Sequence, residues 1–303
     1  MDMLSNCNLC PRQCGADRQM AAGFCGAGAM TVAATVCVHK GEEPPISGAK
    51  GICNVFFGHC NLQCCYCQNS DISSRQSDEG LMRFVGAEAI ADEIARVLTQ
   101  TEDIVGFVTP THFAFAIPEI VELLHAKGLY PTTVYNTSGY ETIETLQMVA
   151  PYIDIYLPDY KYSHPDIAQR YSQAADYPEV AQRALQEMFA QKGTGLPTMD
   201  SGVAFRGLII RHLILPGQVE NSIDCLRWIA DNLSIGVHLA LMAQYFPPEE
   251  LNLPDQLNRC ITPEEYRAVT DEYQRLGFYR GWVQELSASA NYHPDFKRKE
   301  AFE

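Results

Sequence analysis

The chain has no run of about 18 consecutive apolar residues, so no membrane-spanning helix is expected. Its start, MDMLSNCNLC, lacks the basic stretch and apolar core of a secretory leader, which predicts a cytoplasmic protein. Basic residues are scarce: 22 Lys and Arg stand against 37 Asp and Glu, a formal net charge of −15. Phosphate backbones need a basic face, so no nucleic-acid partner is expected. Charged residues make up only 19% and hydrophobic residues 47%, which excludes a disordered chain and predicts a sizeable core. The 303 residues suffice for one large catalytic domain with a small appendage. There is no internal repeat, low-complexity tract or coiled-coil heptad.

Cysteine, by contrast, is abundant. Ten of the 12 cysteines lie in the first 67 residues, and only Cys225 and Cys260 lie beyond. In a cytoplasmic chain this predicts metal or redox chemistry rather than a disulfide framework.

Residues 1–40 carry five cysteines among small and polar residues with little helical or strand periodicity. The proline-bearing stretch Gly41-Glu42-Glu43-Pro44-Pro45-Ile46-Ser47-Gly48 then marks a module boundary, dividing a Cys-rich metal-binding segment (1–40) from a catalytic domain (41–303). Beyond it strand-like and helix-like runs alternate. Strands are expected at 54–57, 103–108, 132–135, 153–157, 208–215, 237–242 and 281–283. Helices are expected at 87–99, 117–125, 141–149, 179–190, 222–230 and 263–275. Such alternation predicts an α/β fold on a mainly parallel sheet, barrel-like or doubly wound, with its site at the C-terminal strand ends.

The central motif is Gly58-His59-Cys60-Asn61-Leu62-Gln63-Cys64-Cys65-Tyr66-Cys67-Gln68-Asn69, directly after the strand at 54–57. Read as C-x3-C-x2-C, it offers three thiolates within eight residues, and thiolates are the ligands of iron–sulfur clusters. Three ligands on a four-iron cubane leave one iron open, as catalytic metal sites require. The alternative is a closed zinc or iron site that recruits Cys65 or Cys53 as fourth ligand.

This spacing, with an aromatic residue before the last cysteine, resembles the radical S-adenosylmethionine (SAM) superfamily. Over nearly the whole chain the resemblance is to a branch similar to pyruvate formate-lyase activating enzyme. Its carriers are Cys7-x2-Cys10-Pro11-Arg12-x-Cys14, Glu42–Gly48, the loop ending Cys67-Gln68-Asn69, Val108-Thr109-Pro110-Thr111-His112, Tyr135-Asn136-Thr137-Ser138-Gly139-Tyr140, Leu157-Pro158-Asp159-Tyr160-Lys161 and Arg211-His212-Leu213-x-Leu215-Pro216-Gly217. The resemblance implies a partial (β/α)6 barrel and a 4Fe–4S cluster on Cys60, Cys64 and Cys67. The open iron would be chelated by SAM, and one electron would cleave the sulfonium bond to a 5′-deoxyadenosyl radical.

It also nominates cofactor-binding residues: Tyr66 and Asn69 in the loop, Thr109 and Thr111 after one strand, Asn136 and Ser138 after the next, then Asp159, Lys161 and Arg211. An ammonium such as Lys161 suits the SAM carboxylate. Two departures stand out. Thr109–His112 has none of the glycines usual for the turn that holds the SAM amino group, and Asn136 is neutral where activating enzymes have an acid. His112, His212, Gln244 and Tyr245 are the expected substrate-pocket residues.

Cys7, Cys10, Cys14 and Cys25 form C-x2-C-x3-C-x10-C, with glycines at 15, 23 and 26 for tight turns. Four thiolates suit either structural zinc or an auxiliary iron–sulfur cluster, and a small segment without a core needs such a staple. The leading functional expectation is hydrogen abstraction from a protein or peptide, as in glycyl-radical activases. A small-molecule epimerase, isomerase or maturase is the second, and a non-catalytic iron–sulfur electron carrier or metal scaffold the third. The chemistry would need a flavodoxin- or ferredoxin-type electron donor.

Overall fold

In the computed structural model, the structure describes residues 3–248, 251–290, 294–298 and 302. Its strands are β1 (Val32–His39), β2 (Ile52–Phe57), β3 (Phe84–Val85), β4 (Ile104–Val108), β5 (Thr132–Thr137), β6 (Ile155–Pro158), β7 (Gly207–Leu213), β8 (His238–Met242) and β9 (Gly281–Val283). They form one sheet in the order β3-β1-β2-β4-β5-β6-β7-β8-β9. From β2 onward every neighbouring pair is parallel, whereas β1 runs antiparallel to β2 and β3.

The helices are α1 (Pro44–Ser47), α2 (Ser70–Ser73), α3 (Ala87–Leu98), α4 (Ile117–Ala126), α5 (Ile143–Val149), α6 (Pro165–Ser172), α7 (Tyr177–Lys192), α8 (Val219–Asn232) and α9 (Pro263–Leu276). Consecutive parallel strands lie side by side, and crossovers between them are right-handed, so the connecting helices collect on one face. A doubly wound sheet would instead reverse its strand order. The sheet therefore curls into a partial barrel with its helices outside.

Alternation along the strands sets the two faces. Val55, Val105, Tyr135, Tyr156, Ile210 and Leu241 pack outward with Ile90, Ile94, Ile120, Leu146, Leu185 and Ile229 of the helices. Ile52, Ile104, Val134, Ile155, Ile209 and Ala240 form a smaller inward cluster closed by Ile46 and Val203. Among the described residues no helix is long and apolar enough to cross a membrane.

The strands and helices expected downstream of residue 50 are present with shifted ends. β1 was not foreseen. Its eight residues (VAATVCVH) are nearly all buried and show no polar alternation, because both faces of the strand are covered. The front segment thus supplies an integral strand of the sheet, and the proline stretch at 41–48 is the bridge between β1 and β2.

Candidate active site

The loop after β2 carries the three cysteines to the C-terminal edge of the sheet. Its path needs left-handed backbone at two non-glycine residues, His59 (φ 66°) and Gln63 (φ 61°). Gln63 holds the turn by donating from Nε2 to the Cys60 and Ser73 carbonyls at 2.7 and 3.1 Å. Asn61, fully buried, donates to the Tyr140 carbonyl at 3.0 Å.

Cys60, Cys64 and Cys67 all line one cavity of about 330 Å³. Cys65 and Cys53 do not line it, and Cys53 is fully buried within the helix-facing core. The Ser172 hydroxyl donates to the Cys64 Sγ at 3.0 Å, and the Cys67 Sγ and Ser73 hydroxyl are 3.2 Å apart. Burial, then the neighbouring thiol of Cys64, pushes Cys60 up to about 12. Burial raises Cys64 to about 11, with Lys161 pulling the other way. Such thiols become thiolates when a metal supplies the compensating charge. Among the described residues no three Cys, His, Asp or Glu side chains stand together as ligands of a single ion. The thiolates of a cubane bind separate irons, and three thiols with no fourth on the wall fit that group.

Opposite the cysteines lies a buried charge network. Arg211 on β7 donates from Nε to Asp159 at 2.8 Å, from Nη1 to Glu42 at 3.1 Å and from Nη2 to the Asn136 side-chain Oδ1 at 2.6 Å. Lys161 Nζ reaches the other Asp159 oxygen at 2.5 Å. Glu42 also accepts from Asn54 Nδ2 at 2.9 Å and from Asn136 Nδ2 at 3.2 Å, so one carboxylate joins β2, β5 and β7. Asn54 crosses β4 to reach it. A Cβ at Gly106 would lie 2.1 Å from Asn54 Oδ1, which is why β4 carries glycine there. Burial raises the Asp159 carboxyl, but Arg211 and Lys161 together outweigh burial and leave it below the ordinary value.

Of the nominated cofactor residues, Asn69, Thr109, Asn136, Ser138, Asp159, Lys161 and Arg211 line the cavity, as does Gln244. Others turn away from it. Tyr66 is buried under the loop with its hydroxyl 2.6 Å from that of Tyr162. The Thr111 hydroxyl is spent on the buried Glu141 carboxylate.

Three expected pocket residues are corrected. His112 is buried and donates from Nε2 to the Gly58 carbonyl at 2.7 Å, and burial pushes its pKa down to about 3. His212 follows Arg211 on β7 and therefore faces the helices; its Nδ1 donates to the Tyr160 carbonyl at 2.6 Å, and burial pushes it down to about 4. Tyr245 is buried with its hydroxyl donated to the Leu257 carbonyl. Glu42, Glu43 and Asn54 are the site residues the sequence reading missed.

Two of the front thiols, those of Cys14 and Cys25, flank Gly23. A Cβ there would lie 3.4 Å from the Cys14 Sγ and 3.7 Å from the Cys25 Sγ. Cys7, Cys10 and Cys25 are buried and Cys14 is exposed. Burial pushes the Cys10 thiol up to about 12. Arg12, inside this cysteine loop, clamps the neighbouring cluster loop. Its guanidinium donates to the carbonyls of Asn61 (2.9 Å), Leu62 (3.2 Å), Ser172 (3.0 Å) and Gln173. Arg12→Ala leaves four carbonyls without this donor and is expected to cost about 2 kcal/mol in urea unfolding. Arg12→Lys should recover little of that, because a point charge cannot fork across four acceptors.

No protein-family model matches the chain. An uncharacterized protein of Methanocaldococcus jannaschii, MJ0674, is 27% identical over 274 residues, covering 87% of this chain and 73% of that protein. Among solved structures, SuiB of Streptococcus suis bound to S-adenosylmethionine is similar at 12% identity and a TM-score of 0.47, over 75% of this chain. The match covers 48% of SuiB, so the chain spans about half the length of that protein. The protein anSMEcpe with bound S-adenosylmethionine is similar at 12% identity and a TM-score of 0.44, covering 80% of this chain and 62% of that one. A domain of pyruvate-formate lyase-activating enzyme from Bacteroides vulgatus is similar at 13% identity and a TM-score of 0.38, covering 57% of this chain and 93% of the domain.

Proposed function

We propose that this chain is a radical SAM enzyme. The observation that carries the reading is that Cys60, Cys64 and Cys67, and no fourth cysteine, share the wall of one cavity with a buried charge network. These three thiols would hold a 4Fe–4S cluster. A 4Fe–4S cluster held there would supply the one-electron reductive cleavage of a SAM sulfonium to methionine and a 5′-deoxyadenosyl radical able to take a hydrogen atom from a substrate.

The protein's own part is binding and exclusion of water. Lys161, close enough to Cys64 to lower its pKa, offers an ammonium to a SAM carboxylate, while Asp159 holds it in place. Arg211 is committed to three partners, so its role is to fix Asp159, Glu42 and Asn136 rather than to seize a ligand carboxylate. The front cysteines Cys7, Cys10, Cys14 and Cys25 are the ligands we propose for a second metal group; because no three of them, all among the described residues, stand together around a single ion, an iron–sulfur cluster suits them better than zinc. The substrate class proposed is a protein or peptide, with a small molecule as the alternative, and the electron donor is of flavodoxin or ferredoxin type in the cytoplasm. A mere electron carrier would have no use for the cavity and its buried ion network.

The test is anaerobic reconstitution followed by SAM and dithionite. The expected outcome is 5′-deoxyadenosine, with a SAM-induced change in the EPR spectrum of the reduced cluster. A cluster-loaded protein whose spectrum ignores SAM would refute the reading.

A further inference from the structure

Among the described residues, the cavity holds one carboxylate more than it has cations. The charged side chains that line it there are Glu42, Glu43, Asp159, Lys161 and Arg211: three acids and two bases. Asp159 takes both Lys161 and the Nε of Arg211, and Glu42 takes the Nη1 of Arg211. Glu43 is left over. Its Oε2 is buried and has no hydrogen-bond partner among the described residues.

This orphan is built in, not incidental. Glu43 occupies the N-cap position of α1 without a side-chain capping bond, and Pro44 and Pro45 after it fix the backbone direction. Ile46, the next residue of that turn, is fully buried in the inner cluster and anchors the turn against the sheet. His39, also on the wall, offers no balancing charge, because burial pushes its pKa down. An unpaired buried carboxylate is costly unless a ligand supplies its partner.

We propose that Glu43 is the anchor for a protonated amine on the substrate, an alkylammonium or the equivalent end of a lysine side chain, held in the cavity of Cys60, Cys64 and Cys67. This deepens the function proposed above by giving its substrate a positive charge. The site itself needs no turnover to be seen. Burial raises Glu43 to about 7, with Arg211 opposing and Glu42 and Asp159 adding to the rise. A cation would lower it again. Amine binding should therefore strengthen as pH rises through about 7.

Two sources could present an ammonium here, the substrate and SAM itself, and the experiment separates them. The full-length, cluster-loaded protein is titrated with n-butylammonium, with n-butanol as the uncharged control, and followed by ligand-observed NMR; SAM affinity is measured in parallel by equilibrium dialysis. Glu43→Gln is expected to weaken n-butylammonium by about tenfold, leaving n-butanol and SAM as in the wild type. Glu43→Asp, which keeps the charge, should retain most of the binding and guards against loss through misfolding. Unchanged n-butylammonium binding in a folded Glu43→Gln protein would overturn the proposal. So would a fall in SAM affinity alone, which would assign Glu43 to the cofactor. Amine binding through Glu43 in a protein that never cleaves SAM would uphold the site and refute the radical SAM reading.

Discussion

Cys60→Ala, Cys64→Ala and Cys67→Ala proteins, each reconstituted anaerobically, are expected to form no 5′-deoxyadenosine above background, whereas Cys65→Ala and Cys53→Ala keep wild-type activity. The asymmetry follows from which thiols reach the cavity: the first three line it and the other two do not. No spare thiol can move in to replace a missing ligand without taking the loop apart, because Asn61 and Gln63 pin it from inside. Iron content and the cluster's visible absorption are measured together with product. A Cys65→Ala protein that loses its cluster would mean that four cysteines, not three, hold the iron, and the open coordination position would disappear from the account.

Asp159→Asn should destabilise the fold by about 3–5 kcal/mol, because it strands the buried Lys161 and takes from Arg211 one of its two carboxylates. Arg211 and Lys161 have side chains only 14% and 16% exposed, so water cannot take over from the lost carboxylate. The pH profile gives a second readout. The folded-state pKa of Asp159 lies below its ordinary value, so its contribution is complete above about pH 3.9 and is lost as pH falls below that. The wild-type stability should therefore drop on acidification by more than that of Asp159→Asn, and the two curves should converge in acid. Joint replacement, Asp159→Leu with Arg211→Met, is expected to cost less than the sum of the single changes. Strict additivity would show that the pair is not coupled. Urea unfolding across pH measures all of this.

Much of this molecule can be read from its sequence because its signals are local. The switch between two-residue and helical periodicity marks the strands and helices from β4 onward, and the cysteine loop declares itself by spacing. What escaped reading has long-range causes. β1 lacks alternation because it is covered on both faces, a fact that only the finished fold supplies. Glu42 looks like a loop residue beside two prolines, yet it meets Arg211, 169 positions away. The misplacement of His212 is different, since a signal was available. If Arg211 faces the cavity, strand alternation sends its neighbour to the other side. His112 and Tyr245 were attractive for their chemistry, but each is consumed by a buried backbone carbonyl.

The Arg12 clamp also orders events in time. Two of its four acceptors belong to Ser172 and Gln173, 160 and 161 positions downstream. A growing chain makes the front thiols first, yet cannot seat them until more than half of the sheet has been synthesised. Loop closure over such a distance is slow. The earliest cysteines to be made are thus among the last to be fixed in place, and a cell must keep them reduced and unfilled, or deliver their metal, during that interval.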